Sequence, residues 1–310
     1  MPLHPAYTEK LRLLNSQNAP PLRAVPVELI RETYRTMQPE RPDVAVESVQ
    51  EVTIPTDSGT LGIRIYRPSL RDDLPVVLMF HGGGWVIGDL TTVDGQCRDV
   101  AVGTGAIVVA VDYRLAPEHR FPTAAEDCFS ALNWVHDNIH AYGGDSARLG
   151  VAGDSAGGNL AAVVALMSRD RHGPELQCQL LVYPVIDGTN FDSSSYLENA
   201  QGFGLTRDDM LWFWDQYTNC DDRTNPYASP IVAESMSDLP PALILTAEYD
   251  VLRDEGEAYG ERLRTDGVDA EVVRFDGFIH GFFAETKSVP ATRKAMRLAC
   301  QRLSKYLRPE

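Results

Sequence analysis

The chain has few of the residues that make a disulfide or metal protein. Its 310 residues include only five cysteines, Cys97, Cys128, Cys178, Cys220 and Cys300. Their number is odd, their spacings are wide and no C-x-x-C pair occurs, which argues against a disulfide framework or a thiolate metal site. Free thiols in a reducing cytoplasm are expected, with no metal and no cofactor. Long apolar runs are missing as well. No segment approaches the ~18 residues that span a bilayer. The opening MPLHPAYTEKLRLLN lacks an apolar core and a cleavage-site pattern, so no secretory signal is expected. Positive charge is scarce, with 28 Lys and Arg against 44 Asp and Glu for a net charge of −16. A surface of that sign repels nucleic acid and anionic membranes and favours solubility. No repeat or low-complexity stretch is visible. At 44% hydrophobic content the chain can build one large α/β domain or two smaller ones.

The apolar segments that are present alternate with helical patterns. Residues 1–45 read as amphipathic helix broken by prolines, with Pro26 opening a helix over 27–37, and carry no strand signal. This segment is expected to lie on a main domain of residues 46–310. Residues 49–54 and 61–66 alternate about the turn Thr56-Asp57-Ser58-Gly59, the pattern of a β-hairpin. Continuous apolar runs follow at 75–80, 106–111, 149–152, 179–183 and 242–247, as strands buried on both faces require, and a last strand is expected at 270–275. Helical patterns cover 94–103, 123–140, 159–166, 256–265 and 289–306. The alternation predicts an eight-stranded, mostly parallel sheet with helices on both faces. Nearly sixty residues without a strand separate Tyr183 from Ala242, and they carry an aromatic-rich helix over 206–217. An insertion of that length is usually functional. Residues 185–230 and the N-terminal segment are expected to form a helical cap over the carboxyl edge of the sheet, where α/β folds place their sites.

One turn organises the chemistry. RLGVAGDSAGGNLAAVVAL runs from strand to helix through Gly153-Asp154-Ser155-Ala156-Gly157 and so places Ser155 on a sharp G-x-S-x-G turn. The pattern alone also occurs in ordinary glycine-rich loops, so the partners of a Ser nucleophile must be sought elsewhere. Of seven histidines, His280 follows the last strand, where a base can reach such a turn. Asp250 follows the preceding strand and can orient that base, with Glu248 and Asp254 as competitors; Asp254 could instead cap the next helix. Oxyanion donors are expected from the loop His81-Gly82-Gly83-Gly84-Trp85, namely the Gly83 and Gly84 N–H groups, joined by that of Ala156. His81 is read as fixing the glycine loop by hydrogen bonds. A phosphate cradle is disfavoured because the loop holds no Lys and no helix begins directly after it. Asp112, Arg114 and Glu118 read as a polar network that supports these loops.

Through HGGGW (81–85), YRLAPEHRFP (113–122), GDSAGG (153–158), residues 250–255 and His280-Gly281-Phe282, the chain resembles the bacterial hormone-sensitive-lipase family of α/β-hydrolase esterases. The resemblance spans nearly the whole chain, with the motifs in the family's order. It implies an α/β-hydrolase fold, a triad of Ser155, Asp250 and His280, and an oxyanion hole of Gly83, Gly84 and Ala156. It also implies a cap of the kind already expected. One departure is Val251, where the family usually has proline after the triad acid, which leaves that loop less fixed. The implied activity is hydrolysis of short- to medium-chain carboxylic esters through an acyl-enzyme. Trp85, the cap aromatics Phe203, Trp212 and Phe213, and Phe282 are expected to line an apolar substrate pocket. The alternatives are arylester or amide deacetylation by the same triad, and a receptor-like ligand binder. The plant gibberellin receptors resemble the family but have lost the catalytic His, which is present here. The partner is a small ester, and a homodimer is expected only by family analogy.

Overall fold

A computed structural model of the chain describes residues 2–17, 20–56 and 59–308. Eight strands form one sheet in the order β1-β2-β4-β3-β5-β6-β7-β8. They are β1 Ser48–Thr56, β2 Gly59–Arg67, β3 Leu74–Phe80, β4 Ile107–Asp112, β5 Gly144–Asp154, β6 Cys178–Val182, β7 Ala242–Tyr249 and β8 Ala270–Ile279. β2 is antiparallel to both β1 and β4, and every other neighbouring pair is parallel. Asp57 and Ser58 of the expected turn lie outside the described residues, while the strands on either side pair in register from Ser48↔Arg67 to Thr56↔Gly59.

Nine α-helices accompany the sheet among the described residues. They are α1 Pro5–Ser16, α2 Val27–Met37, α3 Asp94–Thr104, α4 Thr123–Asn138, α5 Ala156–Asp170, α6 Ser194–Glu198, α7 Arg207–Tyr217, α8 Arg253–Thr265 and α9 Arg293–Tyr306. Two apolar cores result. Ile63, Val76, Leu78 and Val151 point into one with α4 and α5, and the alternate residues Val77, Met79, Val108 and Ala152 point into the other with α3 and α9. The period of two along a strand sorts the residues in this way.

Some boundaries differ from expectation for physical reasons. α8 starts at Arg253, because Asp254 and Glu255 sit inside its first turn, where carboxylates favour the helix dipole. Pro290–Thr292 forms a separate 3-10 turn, so α9 begins only at Arg293. Thr206 caps α7 through a reciprocal capping box with Asp209.

The N-terminal segment is tied down at several points. The His4 N–H donates to Gly277 O at 2.9 Å, Asn15 Nδ2 donates to Gly202 O at 3.1 Å, and Lys10 pairs with Glu285. From α2, Arg31 donates to Val86 O at 2.8 Å and Ala116 O at 2.9 Å, and holds Glu118 with both arms of its guanidinium. These bonds fix both N-terminal helices next to loops at the carboxyl ends of the strands.

Candidate active site

β5 ends at Asp154 and α5 begins at Ala156, so Ser155 alone makes the turn, at φ 56° and ψ −120°. A residue with a side chain pays for that conformation with strain. Gly157 is required by close approach: a Cβ there would lie 2.0 Å from Phe80 O. The turn is pinned by the Ser155 N–H on Val182 O at 2.9 Å, and the Val185 N–H on Ser155 O at 3.2 Å. Ser155 is 7% exposed and borders an open recess.

His280 stands at the end of β8 and faces Ser155. Its Nε2 lies 3.1 Å from Ser155 Oγ, and its Nδ1 lies 2.8 Å from Asp250 Oδ2. Asp250 is buried beyond β7, and its other oxygen accepts the Leu252 N–H at 3.0 Å. With Oδ1 so engaged, the carboxylate turns Oδ2 to the imidazole and favours the tautomer with the proton on Nδ1. The two competing acids are occupied elsewhere. Asp254 accepts from Arg253 at 2.8 Å and from the Ser195 N–H at 2.7 Å, and Glu248 accepts the Gly277 N–H at 2.6 Å.

The glycine loop after β3 curls over the same spot. Gly83 and Gly84 take φ of +119° and +57°, and a Cβ on Gly84 would sit 2.1 Å from the Phe213 ring. The N–H groups of Gly83, Gly84 and Ala156 donate to no acceptor among the described residues. Gly83 and Gly84 line the recess beside Ser155, and Ala156 follows Ser155 as the first residue of α5. His81 holds the loop from behind: its ring stacks on Tyr113 at 4.2 Å, and its Nδ1 lies 2.8 Å from Gly82 O. Burial pulls its pKa down to about 4, so it is neutral and donates from Nδ1. Arg114 grips Asp127 and Glu118 grips Arg31, as a supporting network would. Asp112 does not join it: it lies exposed at the end of β4, and its side chain makes no hydrogen bond or ion pair among the described residues.

The recess has a volume of about 660 Å³. Leu14, Leu29 and Ile30 enter it from the N-terminal segment, and Leu205, Met210 and Phe213 from the insertion. Of the five aromatic residues expected to line it, only Phe213 does so. Trp85 is fully buried and stacks on Tyr217 at 4.1 Å, anchoring the glycine loop to α7. Phe282 packs behind His280 against Tyr183, Phe275 and Phe278. Phe203 stacks on Tyr249 at 4.7 Å. Trp212 neighbours Phe213 on α7, and the ~100° between consecutive helix positions turns it off the recess.

Two residues beside the site escaped the sequence reading. Asp154 is buried, accepts the Gly82 N–H at 3.0 Å and lies 3.4 Å from the Tyr183 hydroxyl. The Tyr183 ring, at φ 34°, flanks the His280 ring at 4.5 Å. A charged residue set between an apolar strand and the turn Ser was the signal available for Asp154.

A serine hydroxyl, an imidazole and a carboxylate in one hydrogen-bonded line, set at the carboxyl edge of this sheet, define an α/β-hydrolase site. Comparison with known proteins agrees. The family model described as alpha/beta hydrolase fold matches residues 77–284. The chain belongs to that family, and its motifs place it in the hormone-sensitive-lipase branch. It is 45% identical over 278 residues to esterase LipI of Mycobacterium tuberculosis, covering 87% of this chain and 85% of that protein. It is 34% identical over 291 residues to an arylesterase of Saccharolobus solfataricus, covering 93% and 94%. Among solved structures, a hyperthermophilic esterase from the archaeon Pyrobaculum calidifontis superposes with TM-score 0.93 at 42% identity, covering 98% of this chain and 99% of that one. A thermostable esterase from Pseudomonas putida ECU1011 superposes with TM-score 0.94 at 40% identity, covering 100% and 99%.

Proposed function

We propose that the protein is a serine carboxylesterase acting on small carboxylic esters of short to medium acyl chain. The observation that carries this reading is the line Asp250–His280–Ser155, with contacts of 2.8 and 3.1 Å, opening on a recess bordered by Gly83 and Gly84. In this reading His280 takes the Ser155 proton through Nε2 as Oγ attacks the ester carbonyl. Asp250 stabilises the imidazolium and keeps it turned to Ser155. The free N–H groups of Gly83, Gly84 and Ala156 receive the negative oxygen of the tetrahedral intermediate. His280 then protonates the departing alcohol, and a water activated by the same imidazole releases the acid. Ester hydrolysis leaves every proton on a group already in place, so the scheme needs no cofactor.

Residues 1–45 and the insertion at about 185–230 serve as the cap in this reading, over a catalytic unit of residues 46–310. The apolar side chains that both contribute to the recess support that division. No helix of the described residues is long and apolar enough to cross a membrane. A cytoplasmic location is part of the reading, supported by the five free cysteines. So is a homodimer through the exposed edges of the sheet and the final helix, by family analogy, which a solution mass equal to one chain would disprove.

A fluorophosphonate probe followed by peptide mapping tests the assignment. Labelling confined to Ser155, and lost in Ser155→Ala with an unchanged circular dichroism spectrum, is the expected result. Label on another serine, or ester hydrolysis retained in Ser155→Ala, overturns it.

A further inference from the structure

Beside α3 and α9 lies a second open recess of about 760 Å³, which shares no lining residue with the recess at Ser155. Its walls carry four arginines, Arg41, Arg293, Arg297 and Arg308, against the single carboxylate of Asp99. This is an unusual concentration of positive charge on a chain of net charge −16. Most arginines of the molecule meet a carboxylate, as Arg41 meets Asp43 at 3.0 Å. Arg293, Arg297 and Arg308 make no ion pair among the described residues. Arg293 only donates to Thr286 O, at 2.9 Å.

Arg293 and Arg297 are four apart on α9, and Gln301 and Ser304 continue the same face. Like charges at that spacing repel and weaken a helix. A bound anion would convert the repulsion into shared attraction. Beside the guanidinium groups the recess exposes apolar surface, with Val102 54% exposed and Val44 and Met296 next to it. Cations from two walls plus an apolar floor suit an anionic head on an apolar body. A carboxylate is planar and satisfies one guanidinium fork. A phosphoryl group offers three terminal oxygens in different directions and up to two negative charges, so it can meet the guanidinium groups of Arg293 and Arg297 together.

We propose that this recess binds a small phosphorylated molecule, with Arg293 and Arg297 holding the phosphoryl group and Val102 and Met296 contacting its body. The site is separate from the catalytic recess and independent of the ester reading. Calorimetric titration of the full chain with phenyl phosphate, inorganic phosphate and benzoate, at matched ionic strength, tests it. Saturable binding of phenyl phosphate is expected, tighter than inorganic phosphate and at least tenfold tighter than benzoate. Arg297→Gln should weaken phenyl phosphate at least tenfold while the rate of ester hydrolysis stays at the parent value. Absence of saturable phenyl phosphate binding overturns the proposal. So does binding that persists in an R293Q/R297Q protein of unchanged circular dichroism, as occupancy of the catalytic recess would. Equal affinity for benzoate overturns the phosphoryl assignment.

Discussion

Replacing Asp154 by asparagine should raise stability and lower activity, each by an amount that the surroundings set. The carboxyl is 6% exposed, and burial pushes its pKa up from 3.8 to about 6, against the opposing pull of His280 and the Gly82 N–H. A carboxyl whose folded pKa lies above its unfolded value binds its proton more tightly in the folded state. The buried charge therefore costs stability above pH 6, and the cost fades as pH falls toward 4. Two pKa units correspond to about 3 kcal/mol. Asparagine retains an oxygen for the Gly82 N–H but removes the carboxylate facing the Tyr183 hydroxyl, a loss of about 1 kcal/mol. Asp154→Asn should then be about 2 kcal/mol more stable than the parent at pH 8, and no more stable at pH 4.

Urea unfolding followed by the fluorescence of the four tryptophans measures both values. The same negative charge favours the imidazolium that His280 must become, so kcat should fall about tenfold at pH 8. An equal stability offset at pH 8 and pH 4 would refute the argument, because only the ionised form pays for burial. A more stable variant with undiminished kcat would show that the charge plays no part in turnover.

Three further outcomes are expected. Asp250→Asn should lower kcat by about 10⁴-fold through loss of the Nδ1 acceptor, whereas Asp254→Asn, whose carboxylate serves Arg253 and the Ser195 N–H, should leave kcat nearly unchanged; steady-state kinetics of the pair distinguishes the acids. Gly84→Ala should lose at least ~100-fold in kcat by displacing one oxyanion donor, and adding Phe213→Ala should restore part of it, since the new Cβ falls 2.1 Å from that ring. A series of p-nitrophenyl esters should peak at short or medium acyl chains; a maximum at long chains would contradict a recess of about 660 Å³ as the acyl site.

Much of the fold was legible because buried parallel strands must be continuously apolar, and such runs leave little choice of element. The three loops that meet at Ser155 were legible for a related reason: chemistry-bearing residues directly after strand ends converge on one edge of the sheet. The aromatic side chains were not. Hydropathy says that Trp85 and Phe282 are buried, yet it does not distinguish a cavity wall from the packing behind it. That depends on the rotation of α7 and on which rings fill the space under the loop. Asp112 misled in the opposite way, since a charged residue in a motif-rich stretch suggests a network that only its neighbours Arg114 and Glu118 enter.

The misplaced tryptophan changes how the covering segments should be understood. Trp85 follows Gly84 directly and wedges against Tyr217 and Trp214 from the insertion. At the next residue, Arg31 of α2 holds the Val86 carbonyl. Phe213 closes on Gly84 itself. In the proposed mechanism this backbone supplies the N–H groups that receive the reacting oxygen, and it is clamped from α2 and from α7 at once. Donors fixed in advance stabilise a developing charge without reorganising during the reaction, and looser donors lose that advantage. Substitutions that loosen α2 or α7 should consequently depress kcat as well as raise KM, although neither helix supplies a member of the Asp250–His280–Ser155 line. A cover that only admitted substrate would alter KM alone.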